Sequence, residues 1–251
     1  MVSKSKISEV RKLHQKKFRD QERLFLVEGR KSLEMLLLSD YEIAEIFATE
    51  NCYRENQNLL RSQTVTLAES ADMERMTALN TSPDLLAVVK QPSRILSLDM
   101  DAPLLVLDRI ADPGNMGTMI RTADWFGIRQ IVCSPDCVEL YNPKTIQSTM
   151  GSFCHVSVFT AELPVFLKEQ SATRRVLGTF LGGEPVHTFS FKSNDAIVIG
   201  SESHGISDAV AACITHRITI ARGQTSGPSA ESLNAAIAAA IVMDHWSSFK
   251  L

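Results

Sequence analysis

The sequence predicts an α/β protein with a C-terminal parallel-sheet α/β/α domain over residues 101–251 and a small α/β domain over 1–95. Three observations carry this. Short runs of aliphatic and β-branched residues recur at 104–107, 130–133, 155–159, 175–180, 196–199 and 217–220, and helical patterns separate most of them; such alternation builds a parallel sheet covered on both faces. A similar alternation precedes it. Between the two, prolines and short polar residues from Gln91 to Pro103 mark a linker. Open parallel sheets bind ligands at the carboxyl ends of their strands, so the loops after those strands are the candidate site.

In chain order, residues 4–19 place Ile7, Val10, Leu13 and Phe18 at a weak helical period with a cationic outer face. LFLVEG at 24–29 reads as a strand stopping at Gly29, followed by a helix over 30–38. YEIAEIFAT is the next strand, a polar helix covers 52–62, TVTL is a third strand, Ser70 opens a capped helix, and LLAVVK at 85–90 is a fourth strand. Residues 1–31 hold ten Lys and Arg against four acidic residues, a charge of +6, whereas the whole chain carries −3. That asymmetry suits a basic arm facing a polyanion, with Lys12, Lys16, Lys17 and Arg19 as contacts; a solvated amphipathic helix or an initiator-proximal tail is the alternative.

With 251 residues, 44% of them hydrophobic, the chain can bury a good core. Five cysteines form no CxxC pair and no even disulfide framework, which fits a reducing cytoplasm. Cys133 and Cys137 have a spacing seen in some zinc sites, but no second ligand pair accompanies them, so no metal is expected. The N-terminus lacks an apolar signal segment and no apolar run is long enough to cross a bilayer.

Three stretches carry the chemistry. In LLVLDRIADPGNMGTMIRTADWFGI, residues 104–128, a buried strand breaks at Asp112, Pro113 and Gly114. A helix follows with Met116, Met119, Ile120 and Ala123 on one face and a stop at Gly127. Asn115 reads as its N-cap, and Arg121 lies off the apolar stripe beyond Gly117. In AIVIGSESHGIS, residues 196–207, a strand runs into Gly200, and Gly205 precedes a helix, leaving backbone amides in a turn with little side-chain cover. In RITIARGQTSGPSAESLNAAIAAAIVMDHW, residues 217–246, a strand and a Gly/Pro/Ser loop lead to an Ala-rich helix, with Ser229 read as its N-cap and Glu231 early in it. Taken singly, each is an ordinary strand-turn-helix unit with capping residues.

Together and in this order, Asn115–Gly117–Arg121–Thr122–Ala123, the Gly200–Gly205 turn with Glu202, and the Ser232–Leu233–Asn234 triplet resemble the three signatures of the SpoU/TrmH family of RNA 2'-O-ribose methyltransferases. KKFRDQERLFLVEGRKSLEMLL is similar to the start of the substrate-binding domain preceding many members, whose fold resembles a small RNA-binding ribosomal protein. The resemblance implies S-adenosylmethionine as cofactor, a trefoil-knotted C-terminal segment and a homodimer with sites across the interface. It implies Arg121, Asn115, Glu202, Ser232 and Asn234 as catalytic residues, with Glu202 holding Arg121. It also implies loops around Thr179, Phe180, Leu181, Gly200, Ile220 and Leu233 as the cofactor site. Because a guanidinium stays protonated in proteins, Arg121 is read as gripping a phosphate and stabilising developing alkoxide, with the proton acceptor left open.

Thr219 stands where members often have Pro, and the loop from Ala221 to Ala230 is longer than usual, so the pocket rim is expected to differ. Ribosomal RNA is the first substrate expected and transfer RNA the second. The alternatives are base methylation on a related knotted fold, a non-catalytic RNA-binding or ribosome-assembly factor, and a nicotinamide-dependent oxidoreductase. The last lacks a GxGxxG after its first strand.

Overall fold

The computed structural model describes residues 2–77, 79, 81–93, 95–223 and 230–248. In chain order the elements are α1 (Lys4–Lys12), α2 (Lys16–Glu22), β1 (Leu24–Glu28), α3 (Arg30–Leu37), β2 (Ile43–Ala48), α4 (Glu50–Glu55), α5 (Gln57–Leu60), β3 (Val65–Leu67), α6 (Ser70–Met76) and β4 (Leu85–Lys90). Then come β5 (Leu104–Asp108), α7 (Pro113–Trp125), β6 (Gln130–Cys133), α8 (Pro143–Thr149), β7 (Ser157–Thr160), α9 (Leu163–Gln170), β8 (Val176–Pro185), β9 (Ala196–Gly200), α10 (Asp208–Ala211), β10 (His216–Thr219) and α11 (Ala235–Ser248). They form two compact units, Met1–Arg94 with Glu139–Cys154, and Ile95–Val138 with His155–Leu251.

The first unit is a sheet in the order β1-β4-β2-β3, in which β4 pairs antiparallel with both neighbours and β3 joins β2 in parallel. The two-residue period of its strands divides the core. Phe25, Val27, Ile46, Ala87 and Val89 pack with Leu33, Leu36 and Leu60 on one face, and Leu26, Phe47, Leu86 and Val88 with Ile7, Val10, Leu13, Met73 and Met76 on the other. The segment Glu139–Cys154, which sequence order alone groups with the second domain, belongs to this core. Tyr141 lies 4.5 Å from Phe25 between ring centroids, and Phe153, fully buried, packs edge-on against Phe25 and Tyr41.

Local departures from the sequence reading have local causes. The helix expected over 52–62 is two, broken at Asn56, whose Nδ2 donates to the Cys52 carbonyl at 2.7 Å. Ser70 is the first helical residue of α6, and no side chain caps it. The basic arm folds as α1 and α2 rather than one helix. Arg19, expected to face RNA, is instead 2% exposed: its guanidinium donates to the Leu13 carbonyl at 2.7 Å and pairs with Glu139. A cation used this way inside the fold is not available to a polyanion. Lys12, Lys16 and Lys17 remain exposed, with the Nζ of Lys12 and Lys17 over the Phe18 ring.

The second unit is a six-stranded, wholly parallel sheet in the order β10-β8-β9-β5-β6-β7. Every residue of β5 and β6 is buried, as central strands with both faces covered require. Helix α7 packs against α11, while Leu163, Phe166 and Leu167 of α9 and Val210 of α10 join Leu104, Val106, Val132 and Val198 in a common core. Gly127, at φ +71°, ends α7: its N–H bonds to the Asp124 carbonyl and that of Ile128 to Ala123, the paired bonds of a Schellman stop. Among the described residues no helix is long and apolar enough to cross a membrane.

Because Phe153 completes the first unit's core, Phe153→Ala is expected to destabilise it by about 3–5 kcal/mol. Native-state hydrogen exchange should show protection falling in β1, β2 and β4 while β5 and β9 keep theirs. Equal loss in both sheets would contradict this division of the chain.

Candidate active site

The sheet order creates one place where connections diverge. From β5 the chain moves outward to β6 and β7, and from β9 it moves the other way to β10, while β5 and β9 lie side by side with Asp108 opposite Gly200. Such a switch point leaves a crevice at the carboxyl ends of the strands. Asp108, 2% exposed, accepts the Ser207 N–H at 2.7 Å and so ties the end of β5 to the segment after β9.

After β9 the chain doubles back on itself: Ser201 and Gly205 exchange hydrogen bonds of 3.1 and 2.9 Å. A Cβ on Gly200 would stand 2.2 Å from the Gly205 carbonyl carbon, so residue 200 must lack one. Gly205 itself takes φ +63°, a conformation open to glycine at little cost.

This turn carries Glu202 to the heart of the cluster. Its Oε1 accepts from Asn115 Nδ2 at 2.8 Å, from Ala235 N–H at 3.1 Å and from Asn234 Nδ2, while Asn234 Nδ2 also approaches Asn115 Oδ1 at 3.1 Å. Asn115, Glu202 and Asn234, one from each motif, therefore form a single hydrogen-bonded group. Asn115 is free to join it because Asp112, not Asn115, caps α7, accepting the Asn115 N–H at 2.8 Å. The cap expected at Asn115 is thus corrected by three residues, and the Asp-Pro pair was the signal for it. Likewise α11 begins at Ala235, so Glu231 precedes the helix. Asn234 Oδ1 accepts from the N–H groups of Ala236 and Ile237, at 3.0 and 3.2 Å, which is an N-cap. Ser229 lies outside the described residues.

Arg121 is not part of this group. It is exposed on α7, and no hydrogen bond or ion pair among the described residues involves it, so Glu202 holds the two asparagines and not Arg121. Six residues separate Arg121 from Asn115, about 9 Å along the helix and about 120° around it. Ser232 and Leu233 are exposed beside the cluster's Asn234.

The loop Thr179–Gly183 is a bulge. The β8/β10 register jumps from Gly178 opposite Arg217 to Glu184 opposite Ile218, and the residues between leave the ladder. Thr179 Oγ1 donates to the Val198 carbonyl at 3.1 Å and holds its near end to β9. Phe180 folds over Gly178, where a Cβ would come within 2.7 Å of the ring, and lies 3.8 Å beneath the Arg217 guanidinium. Leu181 is 87% exposed and Ile220 half-buried.

Model matches cover both units. Residues 102–244 match the SpoU rRNA Methylase family and residues 4–87 match the MRM3-like substrate binding domain. The chain belongs to the SpoU rRNA methylase family. It is 32% identical over 243 residues to the Bacillus subtilis 23S rRNA (guanosine(2553)-2'-O)-methyltransferase RlmP, covering 96% of this chain and 95% of that one. The structure of a candidate TrmH-family RNA methyltransferase from Porphyromonas gingivalis is 33% identical, with a TM-score of 0.84 over 98% of both chains. An S-adenosylmethionine-bound rRNA methyltransferase from Sinorhizobium meliloti is 25% identical, with a TM-score of 0.84 over 100% of this chain and 98% of that one. The enzyme class and cofactor implied by the three SpoU signatures agree with these relatives.

Cys137 lies against the segment after β5, its Sγ accepting the Ile110 N–H at 3.2 Å. A hydrogen bond from Cys133, against the opposing effect of burial and helped by Ser134 and the Ile110 N–H, lowers the Cys137 thiol to about 7; the same pairing and burial push Cys133 well up. Among the described residues no group of three or more His, Cys, Asp or Glu could hold a metal ion.

Two outcomes follow from this geometry. Gly200→Ala should break the Ser201–Gly205 bridge, speed amide exchange at Gly205 and lower stability by about 1–3 kcal/mol in thermal denaturation. Because the folded state favours the Cys137 thiolate, its stabilisation is complete above the ordinary value of 9.0 and lost as pH falls through about 7. An ultraviolet thiolate titration should show a step there that Cys137→Ser removes; an unchanged profile would refute the assignment.

Proposed function

We propose that this protein transfers a methyl group from S-adenosylmethionine to a ribose 2'-hydroxyl of ribosomal RNA. The observation that carries the reading is the union of Asn115, Glu202 and Asn234 at the sheet's switch point. The Bacillus relative, named for 2'-O-methylation of 23S rRNA, spans nearly the whole chain, and the match to an MRM3-like substrate binding domain favours ribosomal over transfer RNA. Lys12, Lys16 and Lys17 serve as phosphate contacts, and the protein acts in the cytoplasm.

The residues around the Gly200 turn fit the cofactor. A flat adenosyl group needs bare backbone and apolar side chains that the core has not already taken. Gly182, with open space where a Cβ would stand, exposed Leu181 and Leu233, and half-buried Ile220 meet that need. Thr179, Phe180, Leu181, Gly200, Ile220 and Leu233 would hold it, chiefly through backbone hydrogen bonds and apolar contact. When bound, it supplies an electrophilic methyl group on a sulfonium.

On the protein side, the task is to hold the ribose oxygen in line and stabilise its developing charge. Asn115 and Asn234, fixed by Glu202, orient the substrate, and Ser232 orders the rim. Arg121 grips the phosphate beside the target ribose and stabilises the alkoxide. Its distance from the cluster within one chain supports a homodimer in which Arg121 of one copy serves the cluster of the other. The return of the chain from β10 at the sheet edge to Glu202, where α11 begins, supports a threaded, trefoil-knotted C-terminal segment.

The test is transfer of a labelled methyl group to total RNA from cells lacking this protein. Wild type should label one ribosomal RNA species at a site resistant to alkaline hydrolysis. Arg121→Ala should give no label while binding S-adenosylmethionine within about twofold of wild type by calorimetry. Label with the variant removes Arg121 from its role, and no label with wild type overturns the reading.

A further inference from the structure

A second arginine stands at the same crevice. Among the described residues three non-glycine residues have positive φ: Arg23, Arg109 and Met150. Arg23 and Met150 end helices α2 and α8, where a left-handed residue is an ordinary stop. Arg109, at φ +58°, ends strand β5 instead, and a bulky side chain is held there against its backbone preference.

The surroundings impose that conformation. The Arg109 N–H donates to Ser134 Oγ at 2.9 Å, the Ile110 N–H to Cys137 Sγ at 3.2 Å, and the Val138 N–H returns to the Ile110 carbonyl at 2.8 Å. The backbone is thus clamped onto the loop after β6, and the side chain is carried across to the turn after β9. There Nη2 donates to the Gly205 carbonyl at 3.4 Å, and Nε is 3.9 Å from Asp108 Oδ1. Asp108 is itself engaged with Ser207 and Nε is buried without a hydrogen-bond partner, so one hydrogen bond, to Gly205, and the Asp108 charge hold the inner edge of the guanidinium. Among the described residues Nη1 has no acceptor, and the side chain is 35% exposed.

We propose that Arg109 is a substrate-positioning residue whose outward N–H groups take a backbone phosphate of the RNA next to the methylated nucleotide. A planar guanidinium fixed along one edge presents its remaining donors in a set direction, which suits an oxyanion with two acceptor oxygens. The Gly205 contact places it on the turn that carries Glu202. It therefore holds RNA against the Asn115–Glu202–Asn234 group, a role separate from that of Arg121. This inference rests on the RNA methyltransferase reading. The other oxyanion that could meet this arginine is the carboxylate of S-adenosylmethionine, and the test separates the two.

Arg109→Gly removes the guanidinium and suits the left-handed backbone, so the fold is expected to persist with unchanged or higher Tm. Arg109→Lys keeps the charge without the planar donors. Wild type and both variants are assayed for methyl transfer to total RNA from cells lacking this protein, for RNA binding across a salt series, and for S-adenosylmethionine binding by calorimetry. The expected result for Arg109→Gly is a KM for RNA raised about tenfold and a shallower salt dependence, by about 0.7 to 0.9 in log–log slope. Cofactor Kd should stay within about twofold. Arg109→Lys should restore the salt slope and only part of the KM. Unchanged RNA binding with active wild type overturns the proposal alone, and a weakened cofactor Kd with intact RNA binding assigns Arg109 to the cofactor carboxylate. A wild type that transfers no methyl group to RNA overturns the underlying reading as well.

Discussion

The Glu202 carboxylate is the point on which the candidate site depends. Three N–H groups, from Asn115 at the start of α7 and from Asn234 and Ala235 at the start of α11, converge on one of its oxygens. The start of a helix exposes unsatisfied N–H donors and the positive end of its dipole, so an anion there is favoured without a cationic partner. That arrangement fixes two asparagine amides in place without drawing on Arg121. A carboxylate neutralised by arginine would do the reverse.

The backbone that delivers Glu202 is set by absent atoms. Gly200 must lack a Cβ because the chain returns across it at Gly205, whereas a Cβ on Gly178 would meet only the Phe180 and Ile214 side chains. Gly183 obeys the same rule, since its Cβ would stand 2.6 Å from the Arg217 carbonyl oxygen. These close approaches let loops rise from a regular parallel sheet at the carboxyl ends of β8 and β9. The sheet supplies rigidity, and glycines at its rim supply the departures from it.

Much of this was legible in the sequence. The strands Leu85–Lys90 and Gln130–Cys133 are found with the boundaries their patterns indicate, and Gly127 stops α7 as expected. These features are local, since hydrophobic period and glycine conformation act over a few residues. What pattern could not reveal is long-range. Arg19 has the composition of an RNA contact, yet it is buried because Glu139, far away in sequence, supplies its counter-charge. Tyr141 and Phe153 look like part of a catalytic domain, but the rings that accept them are Phe25 and Tyr41. The candidate site was legible as three motifs; that one oxygen joins them depends on caps, and of the two caps expected there, Asn115 is displaced by Asp112 and Ser229 lies outside the described residues.

The separation of Arg121 from the cluster has a physical consequence. A guanidinium paired to Glu202 would have its charge offset and its donors partly occupied, and would bind a phosphate less strongly. Asn115 and Asn234 satisfy the carboxylate with neutral amides instead, so Arg121 on α7 keeps its charge and donors for a polyanion. Arg109 is held differently: among the described residues its side chain's one hydrogen-bond acceptor is the Gly205 carbonyl, and Asp108, 3.9 Å away, also accepts from Ser207. The carboxylate at the centre of the cluster is thus satisfied by amides, and Asp108, which lies 3.9 Å from Arg109, shares its charge with the Ser207 amide.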